Sequence, residues 1–161
     1  MIGTEMRNNM ESKIGLDERI KQVRPEVEQL LRYLPWLQEK SGTNLRTTFG
    51  GQGIAENSLV FPVYDGTLMA FVKEAAKLSL VNRNYPYIYS WNRIRTVADE
   101  KRIIENATIR DIDVLCGIFS HYILGGMTKS TLWSEGMKQG IYLEILLKLK
   151  NLLDFWDKPL A

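Results

Sequence analysis

Apolar positions recur at helical spacing over most of this chain. Leu16, Ile20, Val23, Val27, Leu30, Leu34 and Leu37 follow one another at steps of 4, 3, 4, 3, 4 and 3 with charged residues between them, which is the stripe of an amphipathic helix. Pro25 and Pro35 interrupt it. An interior proline removes a backbone hydrogen bond and clashes one turn back, so the pattern predicts a short helix, then a second one with Pro25 in its first turn that is kinked or ends near Pro35. A stripe broken twice is expected to pack on the protein's own core rather than along a coiled-coil partner. A monomer, or at most a weak homodimer, follows from that reading.

From Ser41 to Asn57 the pattern dissolves into glycine and polar residues, a loop. Its Gly50, Gly51 and Gly53 lack the Lys-Ser/Thr pair and the attached helix that a phosphate loop needs. Ser58 to Tyr64 (SLVFPVY) is partly β-branched and reads as extended, with Pro62 barring it from the middle of a sheet. Asp65 then caps a helix whose buried side is Leu68, Phe71, Val72, Ala75, Ala76 and Leu78 to Leu80. Thr96 to Asn106 is a further helix. Thr108, with Asp111 three residues on, opens another through about Leu124 that is apolar almost all round and should be the most buried element. Gly125 and Gly126 end it, and Ser130 or Thr131 starts a short helix with Trp133, Glu135 and Met137. After Gly140, Tyr142, Ile145, Leu146, Leu149, Leu152, Leu153 and Trp156 fill one arc of the last helix, and Glu144 and Lys148 form an i to i+4 pair on the other.

The fold class expected is mostly α: a compact single-domain bundle of roughly five to seven helices with one short extended segment. It should occupy residues 16–161 behind a flexible N-terminus over residues 1–15, where no apolar pattern exists. Length agrees, since 161 residues suit one core. With 45% hydrophobic and 25% charged residues the composition is that of an ordinary globule, neither disordered nor membrane-embedded. No stretch reaches 18 consecutive apolar residues and the first fifteen lack a leader-like apolar run. One cysteine forms no internal disulfide. The expectation is a cytoplasmic protein with no membrane partner.

Charge changes the picture. The net +2 is uneven: residues 1–72 carry 8 basic and 9 acidic side chains, residues 73–110 carry 8 and 4, and residues 111–161 carry 5 and 6. The positive excess sits in the middle. There Tyr85, Tyr87, Tyr89, Trp91, Arg93 and Arg95 stand at alternate positions, and in an extended chain they would share one face. Aromatic planes with guanidinium groups suit the bases and phosphates of a single strand. The competing reading lays these rings onto the core as a connector around Pro86. A pI of about 8.6 falls short of a dedicated nucleic-acid domain.

His121 is the only histidine. Asp113, Gly117, Ser120 and His121 lie within an arc of about 100° on their helix. Two readings of this small and polar face stand. Another helix packs over Gly117 and the polar groups are satisfied structurally, or a pocket is lined by Asp113, Ser120 and His121. In the second case Glu135 is the orienting carboxylate for acid–base work by His121. A metal site fits poorly, because Asp113 and His121 are about 12 Å apart along the helix and no second histidine or thiolate pair exists. Gly125-Gly126-Met127-Thr128-Lys129-Ser130-Thr131 departs from a nucleotide-binding loop at Thr128 and follows a helix, so no cofactor is expected. Lys129 beside a helix start remains a simple anion site. Cys116, mid-helix among apolar residues, reads as an inert core thiol.

Leu115-Cys116-Gly117-Ile118-Phe119-Ser120-His121-Tyr122-Ile123-Leu124-Gly125-Gly126, followed by Leu132-Trp133-Ser134-Glu135 and Gly140, resembles a bacterial family of small helical domains of unknown function. Its members share a Leu-Gly-x-x-Ser-x-Tyr-x-x-Gly-Gly core and a Gly-Leu-Trp-x-Glu-Ala stretch. Tyr33-Leu34-Pro35-Trp36-Leu37 and Tyr85-Pro86-Tyr87 are similar too. Thr131 stands in place of the glycine before Leu132, and Gly136 in place of the alanine. The resemblance implies a cytoplasmic or phage-encoded helical domain and brings no catalytic residue with it.

Three functions follow as expectations. The first is a non-catalytic module binding a protein or small molecule through Tyr85 to Arg95 and a groove beside Trp133. The second is a single-stranded nucleic-acid binder through the same segment, and the third a hydrolase or lyase using His121 and Glu135.

Overall fold

The computed structural model describes the backbone of residues 2–43, 46–49, 61–129 and 131–157, with side chains over 15–43, 65–129 and 131–157. The glycines at 50, 51 and 53, the start of the extended segment at 58–60 and Ser130 lie outside the described residues. The fold is a mostly α bundle.

Helix α1 (Ile2–Leu30) runs straight through Pro25. That corrects the expectation of two helices. Pro25 and Lys21, one turn back, are both exposed, so the carbonyl deprived of its partner faces water and the break is not forced. Ile20, Val23, Val27 and Leu30 are buried as the stripe requires. A 3-10 turn (Leu31–Tyr33) leads into α2 (Leu34–Lys40), where Pro35 occupies the first turn, a position it tolerates because that N–H is unpaired anyway.

Strand β1 (Arg46–Phe49) pairs antiparallel with β2 (Phe61–Tyr64), Arg46 opposite Tyr64 and Phe49 opposite Phe61. The extended segment around Pro62 therefore has a partner drawn from what read as pure loop. In a two-stranded ribbon both strands are edges, which is where a proline is accepted.

Helix α3 (Gly66–Ala76) is capped by Asp65, whose carboxylate accepts the Thr67 and Leu68 N–H groups at 2.8 and 3.2 Å. Helix α4 (Tyr85–Trp91) carries Pro86 in its first turn, and α5 (Val97–Asn106) starts in a capping box made by Thr96 and Asp99. Thr108 and Asp111 form a second capping box, on a 3-10 turn (Ile109–Asp111) that feeds α6 (Ile112–Gly125). Helices α7 (Thr131–Lys138) and α8 (Ile141–Asp157) are joined through Gly140, whose φ of +72° explains the glycine there.

Helix α6 is the hub. It meets α3, α4, α5, α7 and α8, and ten of its fourteen residues are buried. Each fully buried Leu, Ile or Phe is worth roughly 1.5–3 kcal/mol over leaving it exposed, so this helix dominates the core energetics. Helix α8 closes the bundle against α1, α2, α5 and α7. Two details of α8 differ from expectation. Trp156 is exposed, since the apolar arc ends at Leu153, and Glu144 faces Lys101 of α5 at 3.8 Å while Lys148 donates to the Glu105 carbonyl at 2.8 Å. The neighbouring α5 outcompetes the i to i+4 pair.

Side-chain ties fix α1 to the rest. Arg19 Nε donates to Asp113 Oδ1 at 2.9 Å, Arg24 forks onto Asp157, and Glu26 accepts from the Ser79 N–H and hydroxyl at 2.7 and 2.6 Å.

Candidate functional site

The aromatic-basic segment is a helix, not an extended strand, and this redistributes its rings. At 100° per residue, positions four apart share a side whereas positions two apart do not. Tyr85 and Tyr89 therefore turn towards α6, and Tyr87 and Trp91 turn outward, 65% and 74% exposed. The outward pair is stacked, with ring centroids 6.0 Å apart and planes inclined by 22°. Neither reading of the segment as one unit holds: Tyr85 and Tyr89 are partly buried and Tyr87 and Trp91 are surface. Between the two pairs Ile88 seats α4 on α6, pressed against Gly117 where a Cβ would lie 2.8 Å from its Cδ1 and Cγ2. That matches the reading in which a helix packs over Gly117.

The inward side is anchored by Glu100 of α5. Only 3% exposed, it accepts the Tyr89 hydroxyl on one oxygen and the Tyr122 hydroxyl, at 2.6 Å, on the other. Sequence reasoning overlooked Glu100. Its signal was an acid placed in the apolar stripe of Val97, Ile104 and Ala107 at steps of 3, 4 and 3. Burial, then the hydrogen bond to Glu100, raises the pKa of both phenols, so each stays a donor throughout the neutral range.

His121 sits beside this cluster, half-buried among rings: Tyr89 at 4.5 Å, Tyr122 at 5.1 Å and Tyr85 at 5.7 Å between centroids. Burial lowers its pKa from the ordinary histidine value, opposed by the Glu100 charge and assisted by Lys129. No hydrogen bond joins His121 to a carboxylate among the described residues. Chemically the cluster is a buried acid whose two oxygens are both occupied by phenols, an arrangement that locks α4 and α6 to α5.

The remaining candidates are dispersed. Asp113 is exposed and paired with Arg19, away from His121. Ser120 is fully buried, donating to the Cys116 carbonyl at 2.6 Å and accepting the Asn82 N–H at 2.7 Å, so it ties the α3–α4 connector to α6. Glu135 is not in hydrogen-bonded contact with His121, and the carboxylate that acts on the imidazole is Glu100. Trp133 donates its indole N–H to the Ile123 carbonyl at 2.9 Å and lies on Gly126, where a Cβ would be 2.1 Å from its Cδ1. Lys129 is exposed on the α6–α7 connector. Burial pushes the Cys116 thiol up to about 12, which suits an inert core thiol. Among the described residues no three His, Cys, Asp or Glu side chains are grouped to hold a metal, and no helix is long and apolar enough to cross a membrane.

Outside α4 a shallow groove of about 550 Å³ runs past Arg19, Asn82, Arg83, Asn84, Tyr87 and Asp113. The surrounding chain is one-signed: from Leu78 to Ala98 there is no acidic residue but three arginines. Arg19, Arg24, Arg32 and Arg102 are all committed to ion pairs. Arg83, Arg93 and Arg95 are exposed and, among the described residues, their guanidinium groups form no ion pair, although the Arg95 backbone N–H donates to Asp99 at 2.9 Å. This chain matches no family model, no curated protein and no solved structure.

Proposed function

We propose that this protein is a binding module without chemistry of its own, which engages an anionic partner through the outward side of α4. The observation that carries the reading is the exposed, stacked Tyr87–Trp91 pair on a helix whose opposite side is held by Glu100 and Gly117. Large rings left in water cost hydration free energy, and contiguous ones mark interaction sites. Tyr, Trp and Arg are also the residues that dominate binding hot spots. A face held rigid from behind loses little entropy when it docks.

A hydrolase or lyase using His121 and Glu135 draws less support, because tyrosines surround the imidazole and the carboxylate that acts on it most is Glu100. A bacterial cytoplasmic setting suits a lone buried thiol, and a monomer suits an α1 stripe already spent on the core. The test is a photoreactive residue at position 84, beside Tyr87 in the groove, of the full chain expressed in bacterial cells. One predominant adduct is expected, lost on Arg83→Ala and absent when the photoreactive residue replaces Asn151 on α8. No adduct, or the same adducts from both positions, overturns the reading.

A further inference from the structure

We infer that the anionic partner is a single-stranded nucleic acid, with bases stacked on the outer faces of Trp91 and Tyr87 and phosphates met by Arg83, Arg93 and Arg95. This rests on the binding reading above and adds the chemical class of the ligand. Two features of the α4 face must be explained together: unpaired positive charge, and flat rings displayed side by side. Charge alone would suit an acidic peptide, which has no use for two parallel aromatic planes. Rings alone would suit an apolar partner, which gains nothing from three unpaired guanidinium groups. A single strand presents both complements, since every base has a π face and every linkage a negative charge.

The geometry restricts the mode. A base inserted between the two rings needs about 6.8 Å between planes, two stacking steps of about 3.4 Å. Centroids 6.0 Å apart leave less than that, so bases must add to the outer faces and extend the existing stack. A duplex hides its base faces. A seven-residue helix displaying broad rings also offers only one short polar side chain, Ser90, for reading groove edges. Recognition by stacking is tolerant of sequence, and the affinity gained from phosphates is salt-dependent. With about three phosphates neutralised, the logarithm of the affinity should fall with a slope of about −2 against the logarithm of salt concentration, or roughly twentyfold between 50 and 200 mM.

The experiment is a fluorescence-anisotropy titration of the full chain against a labelled twelve-residue oligothymidylate at both salt concentrations. An abasic strand of the same length, a duplex and a poly-glutamate of equal charge run in parallel. Binding to the oligothymidylate with that slope is expected, with at least fivefold weaker binding by Trp91→Ala and by Tyr87→Ala at unchanged thermal stability. The abasic strand should bind the intact protein as weakly as the base-bearing strand binds Trp91→Ala. No binding to the oligothymidylate at 50 mM salt overturns the inference, and so does equal affinity for the abasic strand or poly-glutamate. In those cases a protein adduct at position 84 would still leave the binding module standing, so the two readings fail separately.

Discussion

Ile88 occupies the space that a side chain on Gly117 would need. An ideal Cβ there lies 2.8 Å from both Cδ1 and Cγ2 of Ile88 and 3.2 Å from its Cβ. This contact sets how closely α4 approaches α6, and through α4 it fixes the outward rings.

Gly117→Ala should therefore destabilise the protein by about 1–3 kcal/mol, the usual range for overfilling a packed contact. Ile88→Ala removes both offending carbons. The double variant should be more stable than the sum of the two single losses implies, a coupling that urea denaturation in a double-mutant cycle would measure. Additive losses would mean that the two residues are not in contact.

The Glu100 cluster predicts an asymmetry. Tyr89→Phe or Tyr122→Phe removes one donor from a buried carboxylate and should cost about 1.5–3 kcal/mol. Replacing Glu100 by leucine together with both Tyr→Phe changes removes charge and donors at once, and should recover most of the loss, because an apolar trio of similar shape leaves nothing unpaired. Thermal denaturation of the three variants beside the unaltered protein decides it. A triple variant less stable than either single one would contradict the account.

Much of the fold was legible because the responsible interactions are local. The stripe from Leu16 to Leu37, the Asp65 cap, the Thr108–Asp111 box and the break at Gly140 all act within one or two turns. What was illegible depended on neighbours. Pro25 is harmless only because its side of α1 faces water, and Lys148 chooses a carbonyl of α5 over Glu144. The alternation from Tyr85 to Trp91 fitted a strand as well as a helix. What decides for the helix is Pro86 in its first turn and Ile88 against Gly117, a contact across 29 positions of sequence. For the site, the sequence groups the rings and arginines of this segment, but the separation of Tyr87 and Trp91 from Tyr85 and Tyr89 required knowing the period. Glu100 was hidden because an acid in an apolar stripe is normally a surface residue at its edge.

Arg93 closes α4 in the left-handed region, with φ of 55°. The Ile94 N–H reaches the Tyr89 carbonyl at 2.9 Å and the Arg93 N–H reaches the Ser90 carbonyl at 3.2 Å, the paired bonds of a Schellman ending with buried Ile94 as its apolar contact. Glycine is the favoured residue there, because a side chain in this conformation costs roughly 1–2 kcal/mol. Arg93→Gly should raise stability by up to about 1 kcal/mol, glycine's greater freedom in the unfolded chain offsetting part of the gain. If Arg93 is retained for binding, the same variant should weaken oligothymidylate affinity. Stability and affinity moving in opposite directions is the expected result, read by denaturation and anisotropy on one sample.

The single histidine gives a direct view of the buried charge beside it. Burial lowers the His121 pKa from 6.5, the Glu100 carboxylate pulls it back up, and Lys129 pushes it further down. An imidazole whose folded pKa is depressed binds fewer protons than in the unfolded chain over the interval between the two values. Its contribution to stability is thus fully present above about pH 6.5 and is lost as pH falls through the folded value. The lowered carboxylates Glu74 and Asp99 act in a separate window below their ordinary values of 4.5 and 3.8. With one histidine in the sequence, a single imidazole proton resonance reports the titration. Its midpoint should lie below 6.5. Glu100→Gln should move it lower still and Lys129→Gln should move it up. A midpoint that fails to fall on Glu100→Gln would mean that no negative charge acts on His121, and the arrangement of Glu100 beside the imidazole would need to be redrawn.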